Sequence, residues 1–166
     1  MQFWGKIQPM IVALKFFIAM SLSFISGLLG LVFSPQRNYD AWYQVLAKSE
    51  LTPDPLIFTI IFVILHAFLG MALFLVFDED KPFRNKTNAI MLFMLQMVLT
   101  ALFNYLFFGL HNVTLSLIVI AVLIMVMLFM FREFLSIKKY AGWLVLPYII
   151  WLLFALYLNG VIIYLN

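Results

Sequence analysis

Residues capable of chemistry are few in this chain, and most are embedded in apolar runs. Gln96, Thr100 and Asn104 stand at i, i+4 and i+8, so on a helix they share one face, with Phe103 and Phe107 alongside. Pro147, Trp151, Ala155 and Asn159 repeat the i+4 step in a later run that also holds Tyr148, and His66 stands alone in an earlier one. Polar groups in such runs either hydrogen-bond helices together or line a cavity, because leaving them bare in an apolar medium is costly. Amide, hydroxyl and imidazole groups among aromatic rings can bond the rim of a flat ligand while the rings stack on its faces. Little else is open to them. The seven Asp and Glu all fall outside the apolar runs, so no carboxylate pair serves acid–base work and no embedded acid relays protons. His66 and His111 lack metal-ligand spacing, and the absence of cysteine removes disulfide, thiol and iron–sulfur chemistry. No GxSxG, HExxH or phosphate-loop motif occurs. The residues favour a binding protein over an enzyme.

The elements that must position these residues follow from composition. Of 166 residues, 66% are hydrophobic and 10% charged, and the mean hydropathy is +1.11. Soluble domains carry about 25% charged residues, and one core of this length cannot hide so much apolar surface, so the excess faces lipid. A bilayer core needs about 20 apolar residues of helix. Five stretches qualify: roughly Met10–Phe33, Pro55–Phe77, Asn88–Leu110, Val113–Phe131 and Trp143–Leu165. Runs such as LSLIVIAVLIMVMLFMF do not alternate, which excludes barrel strands. The first run is too long for a signal peptide and has no small-residue cleavage site, so it reads as a mature span whose Lys15 snorkels to the interface. The expected fold is an all-α integral membrane protein, one five-helix bundle over residues 1–166. In span one, Ser21, Ser23, Ser26, Gly27 and Gly30 allow close approach of a neighbour, whereas span four, polar only at Thr114 and Ser116, reads as a lipid-facing buttress. Trp4 and Trp143 read as interfacial anchors, and Trp151, two turns inside span five, as pocket lining.

The connections differ in kind. Loop one, residues 34–54, is long and carries Trp42 and Tyr43; loop two is the charged DEDKPFRNKT; loop three is little more than His111–Asn112; loop four is the basic REFLSIKKYAG. Long loops in compact proteins are often functional, which makes residues 34–54 a candidate lid. Lys6, Lys15, Lys81, Arg84, Lys86, Arg132, Lys138 and Lys139 fall on one side, against Arg37 and Lys48 on the other. The positive-inside rule then makes this a multi-pass protein of the cell (cytoplasmic) membrane, its N-terminus cytoplasmic and its first loop and C-terminus outward. The net charge of +3 is therefore topological and does not point to nucleic acid.

At these positions the chain resembles a known family. Trp42–Pro55, WYQVLAKSELTPDP, looks like the WYxxLxKPxxxPP signature of the TspO/MBR family, the tryptophan-rich sensory proteins related to the mitochondrial translocator protein (the peripheral benzodiazepine receptor). FTIIFVILHAFLG, ending at Gly70, fits FxxxWxxLYxxxG; QMVLTALFNYLFF is similar to QLxLNxxWxxxFF; PYIIWLLFALYLNGVIIYLN matches PYxxWxxFAxxLNxxIxxLN. The likeness covers about residues 20–166. It implies a five-helix bundle, commonly a homodimer, with a pocket open toward loop one that takes porphyrins such as protoporphyrin IX or haem; no cofactor is required. Carried over by position, the pocket is lined by Tyr43, Pro53, Phe62, His66, Thr100, Phe103, Leu106, Trp151, Ala155 and Asn159. The expected function is a receptor or carrier in tetrapyrrole sensing, transport or stress regulation. The alternatives are a light-dependent porphyrin-degrading enzyme and a regulatory membrane partner with a vestigial pocket. Departures matter: the family's span-two Trp and Tyr are Phe62 and His66 here, and its span-three Asn and Trp are Thr100 and Phe103. Stacking rings survive, but only Trp151 remains of the tryptophan pair linked to photo-oxidative breakdown in some bacterial relatives, which counts against that activity. His66, as a neutral imidazole, offers a ligand for haem iron or a partner for a propionate. No basic residue follows Tyr157 or Tyr164, so the cholesterol pattern of animal members is missing.

Overall fold

Each long apolar run folds as one helix. The computed structural model describes residues 2–33, 41–83 and 86–166, and within these the side chains of all but 2–7, 26, 27, 29–33 and 41. Span one is α1 (Gln2–Phe33), and a short helix α2 (Ala41–Val45) lies in loop one. Spans two to five are α3 (Pro55–Asp78), α4 (Thr87–Asn104, prolonged by a π-helical turn at Tyr105–Gly109), α5 (Val113–Ile137) and α6 (Lys139–Leu165). Arg37 and Arg84, and the surroundings of Trp4, Lys6, Ser26, Gly27 and Gly30, lie outside the described residues.

Local chemistry sets several of the helix ends. Asp54 caps α3 by accepting from Leu56 N at 2.8 Å, and Pro55 fills the first turn, where a missing N–H costs nothing. Asn112 caps α5 by accepting from Leu115 N at 2.9 Å. At the other end of the bundle, lysines cap the carbonyl ends of helices. Lys86 Nζ donates to the carbonyls of Phe77 and Glu79 beside the end of α3, and Lys81 Nζ donates to those of Ser136 and Ile137 on α5. Lys15 does not simply snorkel; it pairs with Asp78 at 3.3 Å, as Lys138 does with Glu79. Burial, and then the nearby Lys15 charge, push the Lys86 ammonium below the usual lysine range, against an opposite pull from Glu79, Asp80 and Asp78.

Three expected boundaries need correction. The helix of span one begins at Gln2, ahead of Met10, that of span four runs past Phe131 to Ile137, and that of span five begins at Lys139, ahead of Trp143. Loop four is therefore not a loop. Only Lys138 leaves helical geometry (φ −147°, ψ 122°). Leaving the hydrocarbon ends an apolar run but not its hydrogen bonding, and Arg, Glu, Lys and Leu are good helix formers. Gly142 permits the sharp corner: a Cβ there would lie 2.4 Å from Leu135 Cγ and 2.9 Å from its backbone N.

The five long helices close a ring in the order α1, α3, α6, α5, α4, each packing chiefly against two neighbours. At the α1–α3 seam Gly70 lets the backbones approach, since a Cβ there would fall 3.1 Å from Met20 Cα. The buttress reading of span four does not hold. In α5, 44% of the spanning residues are buried, against 11% in α1. Ser116, Ile120, Leu123, Met127, Met130 and Phe134 recur every three or four residues and turn inward. Polarity was a poor guide because apolar side chains fill a protein interior as readily as they face lipid.

Candidate functional site

Two layers of the bundle carry the residues singled out above. The first is the strap, α2 and the chain up to Pro55. A cleft of about 560 Å³, open on one side, is lined by Tyr43, Gln44, Lys48, Ser49 and the Thr52–Pro55 segment. Three contacts tie the strap down. Asn166, the residue that follows α6, accepts from Ala47 N and donates to Ala47 O, each at 3.0 Å. Ser49 Oγ lies 3.3 Å from Tyr157 Oη, and Trp42 stacks on His111 at 4.2 Å with 13° between the rings. His111 holds a positive φ of 53° at the head of the α4–α5 hairpin.

Beneath the strap is an aromatic wall. Phe107, buried in the π-helical turn, meets the Trp42 ring at 5.6 Å, Tyr43 at 6.0 Å and Phe103 at 5.8 Å, and Tyr43 meets Phe108 at 5.8 Å. The turn itself is wide because Leu110 N donates to Tyr105 O, five residues back, at 2.9 Å. On α6, half-buried Trp151 packs edge-on against Phe58 of α3 at 4.9 Å and contacts Phe154 at 5.6 Å. Lys48 Nζ, at 4.6 Å over the Tyr43 ring, donates to the carbonyls of Tyr43 at 2.6 Å and Gln44 at 3.3 Å.

The second layer lies at the centre of the bundle. His66 on α3, Gln96 and Thr100 on α4, and Tyr148 on α6 are all buried. Gln96 Nε2 donates to Thr100 Oγ1 at 3.1 Å, and Thr100 Oγ1 lies 3.4 Å from Tyr148 Oη. The His66 ring meets Phe62 at 3.9 Å and the Tyr148 ring at 5.8 Å. Ser23 of α1 donates to the His66 carbonyl at 2.7 Å, so four helices converge here.

Of the residues expected to line one pocket, Tyr43 and Pro53 border the cleft, Phe103 joins the wall through Phe107, and Trp151 faces Phe58. Phe62, His66 and Thr100 gather in the central layer, and Leu106 is half-buried within the π-helical turn. Asn159 is buried against α5: its Nδ2 donates to Ala155 O at 2.9 Å and its Oδ1 accepts from Ser116 Oγ at 3.5 Å. Sequence reasoning passed over Tyr148, Gln96, Phe58 and Trp42 as site residues. Gln96 shares a stripe with Thr100, Phe58 stands one turn before Phe62, and Tyr148 belongs to the PYIIW stretch beside the Pro147–Asn159 stripe, signals that were available.

Such an arrangement defines a multi-pass α-helical membrane protein with a cluster of aromatic rings packed against its first loop. The TspO/MBR family model matches residues 17–165, and the chain belongs to that family. It is similar to the tryptophan-rich protein TspO of Bacillus cereus, 28% identical over 153 residues that cover 91% of this chain and 94% of the relative. The protein of the same name from Chlorobaculum tepidum is 29% identical over 150 residues (90% and 94% coverage). That from Archaeoglobus fulgidus is 33% identical over 141 residues (84% and 89%).

Proposed function

We propose that this membrane protein is a receptor or carrier for a porphyrin, protoporphyrin IX or haem, or for a similarly flat hydrophobic ligand, held between the strap and the aromatic wall. The observation that carries the reading is the cleft of about 560 Å³ bordered by Tyr43 and Pro53, with Phe107 and Phe108 packed against Tyr43 and the Trp42 and Phe103 rings against Phe107. Its volume is in the range of small-molecule sites, about 300–1,000 Å³. Stacking rings suit a macrocycle, and the Lys48 ammonium at the cleft supplies positive charge for a carboxylate at the aqueous rim. Trp151, backed by Phe58 and Phe154, offers an indole face at the deeper edge.

The test is a tryptophan-fluorescence titration of the detergent-solubilised protein with protoporphyrin IX, repeated on Trp151→Phe. Loss of the larger ring removes about 1 kcal/mol of aromatic contact, so affinity should fall about fivefold. Equal affinities for the two proteins would remove Trp151 from the site, and no quenching in either would remove the ligand class.

A further inference from the structure

His66 Nε2 and Gln96 Oε1 are buried with no hydrogen-bond partner among the described residues, on side chains only 1% and 0% exposed. Buried polar atoms are almost always paired, so each such atom asks for an explanation. Their chemical sense can be read from the bonds their other ends make. His66 Nδ1 lies 2.8 Å from the Phe62 carbonyl, an acceptor, so Nδ1 carries the proton and Nε2 presents a lone pair. Gln96 Nε2 donates to Thr100, leaving Oε1 as a carbonyl acceptor. Both unpaired atoms are therefore acceptors, on two helices that meet around Tyr148. What suits them is a hydrogen-bond donor.

The geometry points to a donor-reading floor in the bundle: His66 and Gln96 recognise a hydroxyl or N–H group on the inner end of a flat apolar ligand. This selectivity rests on the pocket proposed above and narrows its ligand class. Phe58, Phe62 and His66 follow one another at i+4 along α3, so an aromatic column leads from the cleft at Pro55 to the imidazole, about 16 Å at 1.5 Å per residue. A ligand bearing carboxylates keeps them at the strap, because burying an unpaired carboxylate is prohibitive. Its opposite rim is then the end that faces His66 and Gln96. Each hydroxyl or N–H hydrogen there satisfies one of the two acceptors, whereas a purely hydrocarbon rim leaves both bare.

Two porphyrins separate the cases. Haematoporphyrin IX and mesoporphyrin IX share the macrocycle and the propionates, but on the far rim the first carries hydroxyethyl groups and the second ethyl groups. Fluorescence titration of the full chain should show haematoporphyrin bound about fivefold more tightly, the worth of one satisfied buried acceptor. The preference should shrink toward one in His66→Phe and in Gln96→Leu. A ratio of one or less in the parent protein, or an unchanged preference in both variants, overturns the inference.

If neither porphyrin binds, the pocket reading fails, and the floor is judged separately by ¹⁵N-histidine spectra. The chain has only two histidines, so His111→Gln assigns both rings. The His66 ring should show a protonated Nδ1 and a bare Nε2, whose resonance moves on adding phenol but not toluene. A protonated Nε2, or no response to phenol, overturns the inference.

Discussion

The Asn166 side chain clamps the strap at Ala47, and Asn166→Ala measures that hold. The carboxamide makes two hydrogen bonds to Ala47, one to its N–H and one from its own Nδ2, each at 3.0 Å. A net hydrogen bond contributes about 0.5–1.5 kcal/mol, and both of these are exposed, so the lower figure applies. Together they hold the strap by about 1 kcal/mol, and their loss should raise the population of the released strap about fivefold at 1.4 kcal/mol per decade. The Ala47 amide is itself one of the donors, so its hydrogen exchange reports release directly. Exchange at Ala47 should quicken about fivefold in the variant, while amides in the middle of α5 keep the parent rate. Unchanged exchange at Ala47 would show that Trp42 on His111 and Ser49 on Tyr157 hold the strap without the clamp. A uniform acceleration across α5 as well would mean that the substitution loosens the bundle, which the local geometry does not allow.

Other perturbations test the remaining links. Gly142→Ala places a methyl against Leu135, including its backbone, and should cost about 1–3 kcal/mol of overpacking, read as a lower melting temperature in detergent; a melt within error of the parent would refute the close corner. Lys86 has a folded pKa below its unfolded value, so its charge opposes folding, and stability should rise with pH through the window from the lowered value up to about 10.4. Lys86→Met should flatten that rise relative to the parent in melts taken across the same window, and parallel curves would refute it. Trp151→Phe, as described, should weaken protoporphyrin IX binding about fivefold.

The spans were legible because hydrophobic length is a property of composition: Pro55 and Asp54 mark the start of α3 as plainly in sequence as in space. The helical corner around Lys138 was not, since charged turns outside the hydrocarbon look like loop. The site was legible in its residue types and less so in its phase. α6 is largely apolar on every side, so hydropathy does not say which stripe faces inward; Pro147, Trp151 and Ala155 lie beside the buried series Val145, Tyr148, Leu152, Asn159 and Ile162. Trp151 therefore sits on the shoulder of the packed face, and Tyr148 takes its centre. The order of helices in the ring is set by which grooves fit, and hydropathy carries no record of that.

The wide turn at Tyr105–Gly109 amounts to one residue of slack inside an otherwise regular helix. Excising a single residue there would let the segment relax to ordinary pitch while leaving every earlier position of α4 untouched. Leu110 N already meets Tyr105 O where an ordinary helix would place the residue before it, so the deletion would leave the residues beyond the turn close to their present places. Trp42 would keep His111 as its stacking surface, which makes this turn a point at which the third span tolerates a one-codon change in length.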